Sequence, residues 1–259
     1  MATYAIGDLH GEARALDGVL RQFEHTLTPA DTVVLLGDYV DRGPDSKACV
    51  ERILELRASS PATVVTLMGN HEDWMLRARA DHTHHSWLLA MEAWPTIASY
   101  SQKVANELRL QAKELRDRLY VDRLPLPYDL FFDAMPAAHL EFFTSLALFH
   151  RTPEAVLAHA GVDPGYGPAE KQPHSALVWA KSGRFPDEYA GPELVVYGHH
   201  NDARHNDNGD VELAIRAHCI GIDTITHGVL TAICLPGCKL FRADRTGAKD
   251  PRLSRRRRQ

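Results

Sequence analysis

The stretch Val33–Gly43 constrains the fold of this chain more than any other part of the sequence. It begins with a run of valine and leucine residues, which is typical of a buried strand. The run breaks at Gly37, and the short loop that follows carries Asp38, Asp41 and Arg42. Two acids and a guanidinium directly behind a buried strand are poorly suited to a core. We therefore interpret this loop as part of a functional site, in which Asp38 binds a metal, Arg42 binds phosphate and Asp41 orients a histidine.

The composition is that of an ordinary globular protein. The 259 residues, of which 44% are hydrophobic and 24% charged, can bury a sizeable core in one large domain or two small ones. The formal net charge of −5 gives no reason to expect a nucleic acid or a membrane surface as a partner. The exception is Arg255–Arg258, and we expect residues 246–259 to form a basic, disordered tail.

Other features favour a cytoplasmic location. Tyr4–Gly7 already reads as the first strand, which leaves no room for a signal peptide. No apolar run approaches the roughly 20 residues that cross a bilayer. Cys234 and Cys238 are the nearest pair of cysteines, and their spacing is typical of neither a redox motif nor a zinc site. We therefore expect reduced thiols.

Strands and helices alternate in the first part of the chain. Three strands are predicted there: Thr3–Ile6, Thr32–Leu36 and Ala62–Met68. With a helix between each pair, this order predicts a parallel sheet covered by helices. Residues 73–146 read as mostly helical, and we interpret them as a cap or insertion over one edge of the sheet. Three later segments predict a β-meander that builds a second sheet: Val211–Ile215, Cys219–Ile222 and Val229–Leu235.

Five apolar strands each end in a glycine-flanked loop with Asp, Asn or His side chains. Loops at the carboxyl ends of parallel strands gather on one edge of a sheet, where ligands bind. The side chains expected to meet there are Asp8, His10, Asp38, Asn70, His159 and His199. Oxygen and imidazole ligands without thiolates suit Mn, Fe, Zn or Mg and argue against a structural zinc site. Two cations need a shared ligand and a spacing of roughly 3.5–4 Å, and Asp38, in the middle of the set, is the natural bridge.

Each motif has a structural interpretation when it stands alone. A Gly-Asp pair after a strand is commonly a turn or a helix cap, and a lone His159 is more often a hydrogen-bonded core residue. Five such loops in succession favour a shared site. The cluster Asp81–His85 could bind an accessory metal, although an exposed loop or helix face fits such polar residues better.

The motifs resemble those of the calcineurin-like metallophosphoesterases, and most closely the bacterial and phage branch of the phosphoprotein phosphatases. The signatures of that family stand here at Gly7–Gly11, Gly37–Gly43, Gly69–Glu72, His159–Gly161 and Gly198–His199. The resemblance runs from about Thr3 to Leu235, interrupted by the helical region. It implies a four-layer α/β/β/α sandwich with two mixed sheets and a helical insertion at about 73–146, in a single domain over residues 1–245.

Metal ligands follow from the resemblance by position. The first metal would be held by Asp8 and His10, with Asp38 as the bridge. The second metal would be held by Asn70, His159 and His199. The resemblance implies two divalent cations, often Mn²⁺ in bacterial members, with Fe or Zn as alternatives.

The resemblance also assigns the catalytic groups. His71 would be the general acid, paired with Asp41, which is expected to raise the pKa of His71, and Arg42 would bind phosphate. A second phosphate-binding arginine often follows a tryptophan in this family. Here Lys181 occupies that place and Arg184 follows it, so either can be the second phosphate ligand. Lysine lacks the bidentate fork of arginine, which is expected to change phosphate affinity or geometry.

Three functions remain open, and the expected partner is a phosphorylated protein or a dinucleoside polyphosphate. The leading one is hydrolysis of phosphoserine or phosphothreonine in proteins, which Tyr39 and Glu72 favour. The second is symmetrical diadenosine-tetraphosphate hydrolysis, because such enzymes share nearly all these motifs. It needs an adenine pocket, for which the candidate residues are Trp87, Trp94, Tyr100 and Tyr128. The third is a catalytically weak metal-binding scaffold. The presence of His71, Asp41 and Arg42 argues against it.

Overall fold

The structure is a computed structural model that describes residues 1–249. The strands in that range are β1 (Thr3–Ile6), β2 (Thr32–Leu35), β3 (Thr63–Thr66), β4 (Phe149–Arg151), β5 (Val156–Ala158), β6 (Val195–Tyr197), β7 (Arg204–His205), β8 (Val211–Glu212), β9 (Ala214–Ile215), β10 (Cys219–Gly221), β11 (Val229–Leu235) and β12 (Lys239–Asp244). The helices are α1 (Ala13–Leu20), α2 (Ser46–Ser59), α3 (Asn70–Ala80), α4 (Ser86–Ala90), α5 (Trp94–Tyr100), α6 (Gln102–Leu115), α7 (Arg118–Val121), α8 (Asp129–Ala134), α9 (Ala137–Thr144) and α10 (His174–Leu177).

Two five-stranded mixed sheets form the centre of the molecule. The first has the order β12-β11-β1-β2-β3, and the second has the order β4-β5-β6-β10-β9. Strands β1, β2 and β3 are parallel, as are β5, β6 and β10. In the first sheet β11 is antiparallel to both β1 and β12, and in the second sheet β4 and β9 are antiparallel to their neighbours. The predicted sandwich with two mixed sheets is confirmed.

The alternation of side chains along the strands explains why the sheets stack. In β1, Tyr4 and Ile6 join the hydrophobic cluster on the helical side, whereas Ala5 joins a second cluster. In β6, Val196 belongs to that same second cluster, which therefore lies between the sheets. Successive strand residues point to opposite faces, so strands that are apolar on both faces need a cover on each side. Helices cover the outer face of the first sheet, and α10 with the segment 160–193 covers that of the second.

The helix that follows the Asp38 loop begins with a capped first turn. Asp45 is the N-cap of α2, and its side chain accepts a hydrogen bond from the backbone N–H of Ala48 at 2.9 Å. This cap satisfies one of the free N–H groups of the first turn. It thereby fixes the exit of the chain from the loop that carries Asp41 and Arg42.

Residues 73–146 pack onto the helical side of the first sheet. Trp87 and Phe131 belong to the same hydrophobic cluster as the residues of β1 and β2. The ring of Phe142 in α9 lies 5.3 Å from that of Tyr39, which follows β2. The insertion thus shares its core with the sheet and reaches the loop after β2.

The prediction of a β-meander is wrong. Strand β8 pairs with β7 in a small two-stranded sheet, β9 and β10 lie in the second sheet, and β11 lies in the first. Six of the seven residues of β11 are buried, which suits its central place between β1 and β12. An alternation of side chains with a period of two residues identifies such segments as strands, but it does not determine which strands pair.

The last described residues, which follow β12, fold back against the domain. The backbone N–H of Asp244 donates to the carbonyl of Ala248 at 2.9 Å, and Arg21 in the segment after α1 donates to the carbonyl of Gly247 at 3.1 Å. Residues 246–249 are therefore held against the domain, whereas Arg255–Arg258 of the predicted tail lie outside the described residues. Among residues 1–249, no helix combines the length and the apolar character that crossing a bilayer requires. All four cysteines are free.

Candidate active site

The predicted site residues come from both sheets and meet at one place. Asp8 and His10 follow β1, Asp38 follows β2, His159 follows β5 and His199 follows β6. These are the carboxyl ends of parallel strands, as the predicted convergence requires. The third loop differs from the prediction, because the residues after Gly69 form the first turn of α3.

Asp38 joins two groups of ligand atoms. Its Oδ2 lies 3.7 Å from Nε2 of His10 and 3.8 Å from Nε2 of His71, while its Oδ1 lies 3.4 Å from Nε2 of His159. One group of potential metal ligands is His10, Asp38 and His71, and the other is Asp38, His159 and His199. Within each group the ligand atoms lie within 4.8 Å of one another. The two oxygens of one carboxylate thus face two neighbouring sites, which is the geometry of a bridging ligand.

Hydrogen bonds orient the imidazole rings as in metal sites. Nδ1 of His10 lies 3.1 Å from the carbonyl oxygen of Val40, and Nδ1 of His159 lies 3.0 Å from that of Leu36. A carbonyl only accepts, so each Nδ1 carries the hydrogen and each Nε2 of the neutral ring presents a lone pair. Nε2 of His159 then faces Oδ1 of Asn70 at 2.9 Å. Two acceptor atoms this close repel each other unless a cation binds to both, so their arrangement suits a metal ion.

The rings of the second group are also held in their neutral form. Oδ1 of Asn70 lies 2.8 Å from Nδ1 of His199. Burial lowers the pKa of His199 to about 3, and the neighbouring His200 adds to this shift. Burial likewise lowers the pKa values of His10 and His159 well below their usual range. Neutral imidazole is the form that binds metals.

Buried carboxyl groups crowd the same site. Burial raises the pKa of Asp8 well above its usual value, and the charge of Asp223 adds to the shift. Burial also raises the pKa of Asp38, with Asp8 as the next cause. Oδ1 of Asp8 is buried and makes no hydrogen bond. Divalent cations between these oxygens would offset both the burial and the mutual repulsion, so the donor set fits such ions.

Several site residues adopt left-handed backbone conformations that L-residues rarely populate. The φ angles are 44° for His10, 51° for Asp38, 70° for Asp41, 65° for Arg42 and 62° for His199. Each such residue costs about 1–3 kcal/mol and persists only where its surroundings enforce it. Backbone strain therefore concentrates in the loops that carry the potential ligands.

Glu72 enforces the shape of the loop after β2. Its fully buried carboxylate accepts four backbone N–H groups. Oε2 binds those of Asp38 at 2.9 Å and Gly69 at 3.0 Å, and Oε1 binds those of Tyr39 at 2.8 Å and Val40 at 3.2 Å. The loops after β2 and β3 are thereby joined through one side chain.

His71 and Asp41 form a buried pair. Nδ1 of His71 lies 2.9 Å from Oδ2 of Asp41, and Nε2 of His71 makes no hydrogen bond. The expectation that Asp41 raises the pKa of His71 is wrong, because burial lowers the pKa of His71 and Arg42 lowers it further. Burial raises the pKa of Asp41 to about 8, against the effect of its hydrogen bonds from Thr96 and Trp87. Burial disfavours the charged form of both residues. At neutral pH the pair therefore keeps one proton in addition to the single N–H proton of a neutral imidazole.

The three basic residues expected to bind phosphate have different partners. Arg42 is exposed, and its Nη1 lies 3.0 Å from Nε2 of His10. Arg184 is bound to Asp163, with 2.6 Å between Nη2 and Oδ1. Lys181 is exposed, and its Nζ lies 5.9 Å from the centre of the Trp179 ring. The backbone of Trp179 hydrogen-bonds His199, so the segment of Lys181 adjoins the second ligand group.

A cleft of about 300 Å³ opens beside His10 and Arg42. The other residues that shape it include Glu12, Pro44, Pro95, Ile225 and Arg245. Nε of Arg245 lies 3.3 Å from Oε1 of Glu12. The cleft thus offers apolar walls and a second guanidinium next to Arg42.

The aromatic residues expected to line an adenine pocket do not form one. Trp87 and Tyr128 are fully buried, with their ring centres 5.9 Å apart. Trp94 is partly buried beneath the guanidinium of Arg109, and Tyr100 hydrogen-bonds Nδ1 of His139 at 2.8 Å. These rings build the core of the insertion because large apolar surfaces gain most from burial.

Sequence reasoning missed the roles of four residues at or around the site. Asp223 follows β10 and raises the pKa of Asp8, and its place after a strand was a signal that could have revealed it. The role of Glu72 is visible only in its hydrogen bonds. Trp87 and Thr96 both donate to the carboxylate of Asp41 from within the insertion, and no sequence pattern marks them. The Asp81–His85 cluster holds no group of potential metal ligands among residues 1–249, and His85 instead contacts Tyr128 at 2.9 Å.

The family profile described as calcineurin-like phosphoesterase matches residues 1–203. Serine/threonine-protein phosphatase 1 of Salmonella typhimurium is 33% identical over 93 residues, which is 36% of this chain and 40% of that protein. A symmetrical bis(5'-nucleosyl)-tetraphosphatase of Cellvibrio japonicus is 38% identical over 72 residues, which is 28% of this chain and 25% of that protein. The matched segments thus span well under two thirds of the length of these relatives.

A solved structure supports the fold over almost the whole chain. It belongs to a protein provisionally named a diadenosine tetraphosphatase and aligns with a TM-score of 0.59 and 21% identity. The alignment covers 94% of this chain and 93% of that one. At this identity the likeness concerns the fold alone.

Proposed function

We propose that this chain, which belongs to the calcineurin-like phosphoesterase family, hydrolyses phosphate monoesters at a centre that holds two divalent cations. One observation carries the proposal. Nε2 of His71 is buried without a hydrogen-bond partner and lies 3.8 Å from Oδ2 of Asp38, the carboxylate that joins the two ligand groups. A proton donor is thereby aimed at the place where cations and a phosphoryl group would meet.

The ligand set supports two hard or borderline cations. Asp8, His10 and Asp38 would hold the first ion. Asp38 with Asn70, His159 and His199 would hold the second ion. Mn²⁺ suits such a mixture of oxygen and imidazole ligands, and Fe or Zn also fit. Bound ions would supply positive charge that polarises water and the oxygens of the substrate phosphate.

The residues around the ions bind the phosphate and transfer the proton. Arg42, exposed beside His10, binds the phosphate oxygens and offsets their negative charge. Water attacks phosphorus opposite the leaving oxygen, and the bond between phosphorus and that oxygen breaks. His71 gives the proton on Nε2 to the leaving oxygen, while its Nδ1 keeps or receives the proton shared with Asp41. The pair ends as a neutral imidazole and an Asp41 carboxylate, so charge and protons balance.

Within this chemistry, we infer that the substrate is a phosphoserine or phosphothreonine side chain. The local similarity to a serine/threonine-protein phosphatase supports this inference. The burial of Trp87 and Tyr128 also supports it, because it removes two walls of the adenine pocket that a dinucleotide would need.

A symmetrical dinucleoside-tetraphosphate hydrolase is the second candidate. The cleft beside Arg42 favours it, since Arg245 there could bind a further phosphate and Pro44, Pro95 and Ile225 offer apolar walls for a base. The match to a symmetrical tetraphosphatase points the same way.

A substrate panel separates these candidates. The Mn²⁺-loaded protein is assayed for kcat/KM on a set of phosphoserine and phosphothreonine peptides and on diadenosine tetraphosphate. We expect the peptides to be preferred by orders of magnitude, and the reverse preference would assign the second candidate. Absence of turnover on every substrate, with metal bound, would instead support a metal-binding scaffold.

The role of His71 has a direct test. His71→Asn should lower kcat on phenyl phosphate by about 10²–10⁴-fold, because it removes the general acid. Metal content measured by atomic emission should persist, since the predicted ligands are intact. An unchanged kcat on this poor leaving group would exclude His71 as the acid.

A further inference from the structure

The carboxylate of Asp41 is held by two residues of the helical insertion. Oδ1 accepts a hydrogen bond from Oγ1 of Thr96 at 2.7 Å, and Oδ2 accepts one from Nε1 of Trp87 at 3.0 Å. Oδ2 also lies 2.9 Å from Nδ1 of His71. Asp41 itself is fully buried, so bulk solvent does not reach these contacts.

The two donors are themselves fixed in place. Trp87 in α4 is fully buried, and its ring lies 5.4 Å from that of Phe131 in α8. Thr96 in α5 also accepts the backbone N–H of Asp41 at 2.7 Å, and its hydroxyl lies 2.9 Å from that of Ser46. The carboxylate is thus restrained at both oxygens and at its own backbone. Its remaining partner, His71, receives a fixed orientation as a result.

We propose that Trp87 and Thr96 are positioning residues for the proton transfer from His71, so that the insertion sets the rate at which the leaving group departs. The inference rests on the proposed function, in which His71 is the general acid. When the proton leaves Nε2, negative charge is left on Asp41. Donors already aimed at that carboxylate stabilise the charge without reorganisation. Without them, that buried charge would be poorly solvated, and the transition state for the proton transfer would be less stable.

This role predicts a dependence on the leaving group. A phosphate ester with a poor leaving group, such as phenyl phosphate, needs protonation of the departing oxygen, whereas p-nitrophenyl phosphate needs it much less. Loss of one hydrogen bond to a developing charge corresponds to roughly a 10–100-fold loss in rate. We therefore expect Trp87→Phe and Thr96→Val to lower kcat on phenyl phosphate by about that factor. The kcat on p-nitrophenyl phosphate should fall less than about 3-fold, with KM for both esters unchanged.

The experiment compares these variants with matched controls on the Mn²⁺-loaded full-length chain. Trp94→Phe is the control for the ring, because Trp94 stacks on Arg109, whereas the hydrogen bonds from the insertion to the Asp41 carboxylate come from Trp87 and Thr96. Metal content is measured for every variant. A general disturbance of the fold would lower kcat for both esters alike, and that outcome would overturn the positioning role. An unchanged kcat on phenyl phosphate in both variants would overturn it as well.

A double variant separates this inference from the proposed function. In the His71→Asn background, Trp87→Phe should cause no further loss on phenyl phosphate, because the group that it positions is gone. An additive loss would overturn the inference even if Trp87→Phe weakens folding. If His71→Asn alone lacks the leaving-group dependence, the proposed function fails. If His71→Asn shows it and both insertion variants do not, only the positioning role fails.

Discussion

Glu72→Gln should destabilise the protein strongly although it changes neither the size nor the shape of the side chain. In the native protein, each carboxylate oxygen of Glu72 accepts two backbone N–H groups from the loops that carry Asp38 and Gly69. Glutamine replaces one of these oxygens by an NH₂ group, which donates and does not accept. Either orientation of the amide therefore leaves two buried N–H groups facing a third donor.

The magnitude follows from the number of groups left unsatisfied. Each buried N–H without a partner costs about 1–3 kcal/mol, so the two together cost about 2–6 kcal/mol. A typical domain has a total stability of about 5–15 kcal/mol. The same change loosens the loop of Asp38, and an orienting residue of this kind typically affects metal affinity by about 10–100-fold.

Urea unfolding followed by circular dichroism measures the loss of stability. The measurement is made near pH 8, above the pKa of about 7 to which burial, with the charge of Asp41 adding, raises the pKa of Glu72. Glu55→Gln, at an exposed position of α2, is the matched control and should leave stability unchanged. If Glu72→Gln costs less than about 0.5 kcal/mol, as ordinary surface substitutions do, the reasoning from the N–H groups is refuted.

Two further predictions concern the metal and phosphate ligands. Gly198→Ala should weaken Mn²⁺ binding, measured by calorimetry, by about 10–100-fold, because the added Cβ would lie 1.9 Å from Oδ1 of the buried Asp8. Gly237→Ala is the control, since a Cβ there meets nothing within 4 Å. Equal Mn²⁺ affinities of the two variants would contradict the prediction. Lys181→Met should raise KM for the phosphoester more than Arg184→Met does, because Arg184 is already bound to Asp163; a larger effect of Arg184→Met would reverse the assignment.

The sequence alone was enough to locate the ligand loops. The strands before Asp8, Asp38 and His159 are short, mostly apolar runs, and each leads into a loop that contains a glycine and a polar side chain. The carboxyl ends of neighbouring parallel strands share an edge, which brings Asp8 and Asp38 together in the first sheet. His159 follows a strand of the second sheet, so the stacking of the two sheets brings it to Asp38. In the structure, Oδ1 of Asp38 lies 3.4 Å from Nε2 of His159, although the two residues are 121 positions apart in the chain.

The tertiary structure decided the partners. It put β11 beside β1 instead of in a meander, and it buried Trp87 as a donor to Asp41 instead of placing it in an adenine pocket. It also lowered the pKa of His71, which the presence of Asp41 alone would have raised. Periodicity and turn chemistry are properties of neighbouring residues, and a sequence displays them directly. The contacts of a buried side chain and the solvation of its charge depend on every element packed around it, and these are fixed only when the whole core assembles.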